Sequence, residues 1–167
     1  MNPWLDPGVD GRNLRVEDFP TFLLWRLANV AKSNVTKKYL ERFKLNLPEW
    51  RLLAMVTMYS PMPFGEVTAR SSMDKGQVSR TLHTISARGL VFVQPVGGKK
   101  SRNSSTSPRI EVSVTAKGKA LHRRIVPVAQ YHQMKLLTLM TERERQVYYT
   151  VTRRLLDAII KLDFDQG

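Results

Sequence analysis

Along most of this chain apolar residues recur at intervals of three and four. From Asp18 to about Phe43, the positions Phe19, Leu23, Leu27, Val30, Ala31, Val35 and Tyr39 share one side of a helical period, which predicts an amphipathic helix about 39 Å long at 1.5 Å per residue. Asn46 and Glu49, with Pro48 between them, are the start signal of a second helix carrying WRLLAMVTMY to about Tyr59. SPMP interrupts that helix, and FGEVTARSS predicts a short one. Asp74 as cap, with Gln77 placed to reach back to the Asp74 N–H, opens DKGQVSRTLHTISARG, whose Val78, Leu82 and Ile85 form an apolar stripe and whose Gly89 ends it. LVFVQPV and RIEVSVT are rich in β-branched residues and read as strands, and GGKKSRNSSTSP between them has nothing to bury, so it reads as a long hairpin loop.

Helical spacing returns after Thr115 with Leu121, Ile125, Val128, Ala129 and Leu136, although Pro127 should bend that helix. Thr141 and Glu144 predict the capping box of a last helix, apolar at Val147, Val151, Leu155, Ile159 and Leu162. The N-terminal stretch MNPWLDPGVDGRNLRV has two prolines, two glycines and no period, and reads as an arm on which Trp4 and Leu5 are the docking candidates. The expected architecture is mainly α with a small β-hairpin wing: arm 1–17, long helices over 18–45 and 116–162, a winged helix-turn-helix over 46–115, and a fraying tail 163–167.

Composition narrows the function. With 42% hydrophobic residues, the 167-residue chain can bury a core, which argues against disorder. Its formal net charge of +13 points to a polyanionic partner, nucleic acid ahead of a membrane surface. No apolar run reaches the roughly 18 residues of a spanning helix and the first fifteen residues lack a signal peptide's apolar core, so no membrane role and a cytoplasmic location are expected. The absence of cysteine excludes disulfides, thiol nucleophiles and thiolate metal sites. His83, His122 and His132 lack metal-ligand spacing, GGKKS lacks the full phosphate-loop spacing, and no catalytic constellation stands out. Neither a cofactor nor an enzymatic activity is expected.

A short helix, a tight turn and a capped helix form a helix-turn-helix, and the strand-loop-strand behind it makes it winged. The second helix of such a pair enters the major groove with its N-terminal turns, and here those turns offer Lys75, Gln77, Ser79 and Arg80. Gln77 suits an adenine edge and Arg80 a guanine or a phosphate; Gly76 lets backbone approach the duplex, and Ser72 in the turn completes the set. The same residues also fit a solvated helix face, but the cations Lys99, Lys100 and Arg102, with Arg109 at the loop's end, favour DNA by suiting phosphates or a narrow minor groove.

Over residues 20 to 162 the sequence resembles the MarR family of transcriptional regulators. LNLPEWRLLAMV is similar to that family's second helix, SPMPFGEVTARSSMDKGQVSRTLHTISARGLV to its helix-turn-helix, and VSVTAKGKAL to its strand and fifth helix. Two departures stand out: the loop has no acidic residue between Gly97 and Arg109, and Pro63 occupies a position where a threonine or serine cap is frequent. The resemblance implies a homodimer built on the first, fifth and sixth helices, binding to double-stranded, pseudo-palindromic operator DNA, and repression lifted by a small-molecule effector. It also implies an effector cleft near Trp25, Arg26, Trp50 and Arg51, with an aromatic acid as the expected ligand; those residues equally suit core tryptophans and surface arginines. The competing readings are a DNA-binding module without an effector, architectural or constitutive, and a basic module that meets an acidic protein.

Overall fold

The computed structural model describes residues 2–96 and 109–161. Its helices are α1 (Pro20–Ala31), α2 (Lys37–Glu41), α3 (Leu47–Tyr59), α4 (Phe64–Ser71), α5 (Lys75–Ala87), α6 (Ala116–Leu137) and α7 (Glu142–Lys161), and its strands β1 (Met62–Pro63), β2 (Val91–Val96) and β3 (Arg109–Val114). The chain divides into two units, Met1–Val128 and Ala129–Gly167. The division falls beside Pro127, which lies inside α6 and has no N–H to give to the preceding turn.

Local chemistry explains most helix starts. At α3 the Asn46 side chain accepts from Glu49 N at 2.9 Å while Glu49 Oε2 accepts from Asn46 N at 2.8 Å, which satisfies two otherwise unpaired donors. Thr141 and Glu144 make the same reciprocal pair at α7, at 2.7 and 3.3 Å. The long first helix differs from the expected regular one. A π-helical turn, Lys32–Thr36, separates α1 from α2, with Lys37 N donating to Lys32 O. On an ideal helix the steps of four from Ala31 to Val35 to Tyr39 would drift by about 40° each; the wider turn absorbs the extra residue and brings Tyr39 into the core. Part of the arm docks, because Trp4 Nε1 donates to Asp18 O, while Leu5 stays 84% exposed.

The sheet has the order β1-β3-β2, both pairings antiparallel. β2 and β3 register Val91 with Val114 through to Val96 with Arg109, the expected hairpin. β1 is an unexpected third strand that sets Met62 against Val112. The first unit's core is made by Leu52, Leu53 and Val56 of α3, Val67 of α4, Val78, Leu82 and Ile85 of α5, Val112 of β3 and Ile125 of α6, each with 2% exposure or less. Gly118 allows α6 to approach this core: a Cβ there would press into Leu90 O.

Candidate nucleic-acid interface

Burial of one face of α5 determines what its other face presents. Val78, Thr81, Leu82 and Ile85 are buried, at spacings that turn Lys75, Gly76, Ser79, Arg80 and His83 to solvent. The helix begins at Asp74, whose Oδ1 accepts from Gln77 N at 2.7 Å. The expected reciprocal contact from Gln77 back to Asp74 does not form; one half of the box suffices to cap the turn. Ser72 holds the turn between α4 and α5 in the left-handed region, φ 54°, and Ser71 Oγ supports it by donating to Thr68 O and accepting from Met73 N. The far end closes with a positive-φ Gly89, whose N–H donates to Ser86 O while Leu90 N donates to Ile85 O.

Arg80 lies back along the first turns of α5. A Cβ on Gly76 would sit 3.1 Å from both Arg80 Nη1 and Asp74 Oδ1, so the missing side chain leaves the guanidinium room at the helix N-terminal end. A cleft of about 940 Å³ runs beside the same face. Lys75, Ser79 and His83 form one wall, Val93 and Arg109 of the hairpin another, and Phe64 at the start of α4 closes it. Two cations from distant parts of the sequence thus meet in one concave surface that, among the described residues, no carboxylate lines, a geometry suited to a phosphate backbone.

The structure therefore brings together Lys75, Ser79 and Arg109, and keeps Gln77 and Arg80 on the adjoining turns. Lys99, Lys100 and Arg102 lie outside the described residues. Trp25, Arg26, Trp50 and Arg51 do not line this cleft: Trp25 is 62% exposed with its ring 5.9 Å from that of Phe22, Arg26 and Arg51 face solvent, and Trp50 stacks on His122 at 5.5 Å. Burial shifts the His122 imidazole below its ordinary pKa. Sequence reasoning did not find the brace behind α5, where Arg88 Nη1 donates to Lys44 O at 2.8 Å and lies 3.5 Å from Glu49 Oε2. Only Glu49's place in the Asn46 cap was readable locally.

No protein-family model matches the chain, and no curated protein sequence matches it. Solved structures do. A MarR/EmrR family transcriptional regulator from Acinetobacter sp. ADP1 superposes with a TM-score of 0.75 at 18% identity, over 89% of this chain and 100% of that one. The chain has a MarR-like winged-helix fold. BpsR of Bordetella bronchiseptica, whose DNA binding is regulated by 6-hydroxynicotinic acid, has the same fold at TM-score 0.72 and 18% identity, covering 86% of this chain and 98% of its own. A mutant MarR from E. coli, solved with operator DNA, gives TM-score 0.72 and 19% identity over 86% and 99%. These MarR-like neighbours are transcriptional regulators, not enzymes. Among the described residues no helix is long and apolar enough to cross a membrane, and no group of three or more His, Cys, Asp or Glu is placed to hold a metal ion.

Proposed function

We propose that this protein is a homodimeric, sequence-specific DNA-binding transcriptional regulator whose occupancy of a pseudo-palindromic operator responds to a small ligand, acting as a repressor that the ligand releases. The observation that carries the reading is the capped helix α5, which buries its apolar stripe and presents Lys75, Gln77, Ser79 and Arg80 beside a cationic hairpin cleft. Gln77 and Arg80 are the base readers; Lys75, Arg109 and the loop cations Lys99, Lys100 and Arg102 are phosphate or minor-groove anchors. The dimer is supported by the exposed apolar side chains of α1 and α7, among them Leu23, Leu27, Val30, Leu155, Leu156 and Ile159, which are 39% to 54% exposed in the single chain. Ligand control is supported by the fold shared with BpsR, and an aromatic acid is the first ligand to try.

The decisive experiment is protection of the DNA upstream of the protein's own gene, titrated in salt, with the wild type and Arg80→Ala. If Arg80 reads a base, specific binding weakens by about 1 to 3 kcal/mol while nonspecific binding changes little. A phosphate role instead gives a sequence-uniform loss and a shallower salt slope. Binding without any sequence preference overturns the proposal in favour of a basic module for acidic proteins.

A further inference from the structure

We infer that His83 is a contact to the DNA phosphate backbone that forms with the imidazole protonated, so that DNA binding takes up a proton at this residue. The inference rests on the DNA-reading role proposed for α5. Lys75, Ser79 and His83 follow one another at steps of four and share one wall of the cleft beside the hairpin. Eight residues separate Lys75 from His83, about 12 Å of helix axis at 1.5 Å per residue. The major groove is roughly as wide, about 12 Å. A helix that sets its first turns among the base edges therefore carries His83 out to the level of the flanking phosphates.

The surroundings of the ring are cationic. On α5 itself, Arg80 lies one turn before His83 and Lys75 two turns before it, both exposed. Across the cleft β3 contributes Arg109, while the lining residues of β1, β2 and α4 carry no charge. Among the described residues no carboxylate lines this surface, and His83, which is exposed, makes no hydrogen bond, ion pair or ring contact. The other two histidines are engaged elsewhere, His122 stacked on Trp50 and His132 edge-on to Tyr131. Imidazole changes charge between about pH 5 and 8. Protonated, it offers two N–H donors and a positive charge to a phosphate oxygen; neutral, it offers one donor and no charge. A duplex seated on the cleft brings the counter-charge that the protein does not provide, and so favours the protonated ring. By linkage, DNA affinity rises as pH falls through this range, and the gain disappears as pH rises.

The test binds the full-length protein to the duplex upstream of its own gene and to a scrambled duplex, between about pH 5.5 and 8 with a salt series at each pH. Both duplexes should bind about tenfold more tightly at the acid end, and the slope of log affinity against log salt should steepen by about one for each His83 engaged. His83→Gln should remove both changes. His83→Lys, whose charge does not titrate in this range, should hold the steep slope at every pH. His122→Gln, away from the cleft, should leave the pH dependence in place. If the pH dependence survives in His83→Gln, the inference fails while DNA binding stands. If it appears on the upstream duplex alone, His83 meets a base and the phosphate assignment is overturned. Absence of binding to either duplex at every pH overturns the DNA-reading role of α5, and this inference with it.

Discussion

Gly118 offers a test in which two ordinary effects have opposite signs. Replacing a glycine inside a helix by alanine stabilises the helix by about 1 kcal/mol, because alanine loses less conformational entropy. At Gly118 the new Cβ would press into Leu90 O and sit 2.9 Å from Val114 Cγ2 and 3.1 Å from the Leu90 carbonyl carbon. Backbone cannot rotate away as a side chain can, and overpacking of this kind costs about 1 to 3 kcal/mol. If α6 withdraws to relieve it, Thr115 N, 3.1 Å from Leu90 O, loses its acceptor at about 1 kcal/mol, whereas Thr115 Oγ1 also has Gly89 O at 2.8 Å. The net expectation for Gly118→Ala is a loss of about 2 kcal/mol, read as a lower urea midpoint with an unchanged slope. Gly65 on α4 has nothing within 4 Å of the corresponding Cβ position, so Gly65→Ala is the matched control and should gain stability. A gain at Gly118 as well would refute the close approach of α6 to Leu90.

Three further outcomes are expected. Burial lowers the His122 pKa from its ordinary 6.5, so the folded state favours the neutral ring; stability is complete above that value and falls as pH drops through the lower folded one. Melting followed downward from neutral pH should show this decline, and His122→Gln should flatten it. Asp74→Ala removes the cap at Gln77 N and should cost about 1 kcal/mol in denaturant titration, with a parallel loss of operator affinity because the reading turn frays. The double change Leu156→Glu and Ile160→Glu on α7, at side chains 48% and 73% exposed in the single chain, should convert a dimer to a monomer in sedimentation; a dimer that survives it would place the interface elsewhere.

What the sequence made legible follows from the range of the interactions concerned. Asn46 with Glu49 and Thr141 with Glu144 are three residues apart, so their caps are written locally and both form. The apolar stripe of α5 is equally local, and it was enough to identify Lys75, Ser79 and Arg80 as outward positions. β1 was not legible, because two residues are too few to alternate and Met62 becomes a strand only by pairing with Val112, fifty positions away. The π-helical turn left only an ambiguous trace, a run of fours that an ordinary amphipathic helix also tolerates. The Arg88 brace joins residues 44 and 39 positions apart, and nothing near Arg88 in the chain marks either partner.

The same limit bears on the apolar faces of the terminal helices. Periodicity identifies which side of a helix is apolar, but it contains no information on whether the covering surface belongs to the same chain. In α5 the stripe is covered internally: Val78 and Ile85 are fully buried. α1 and α7 contain no buried residue, although Leu24, Trp25 and Leu27 on the one and Val147, Leu156 and Ile160 on the other are 43% to 73% exposed. Equal sequence signals thus lead to opposite outcomes, and the difference lies in what each face meets. Leaving so much apolar surface in water costs roughly 25 cal/mol for every Å², and the proposed dimer would recover that cost by meeting like with like across a two-fold axis. Such a dimer would also set the separation between two α5 helices, so the length of the operator becomes a property of the terminal helices rather than of the residues that read it.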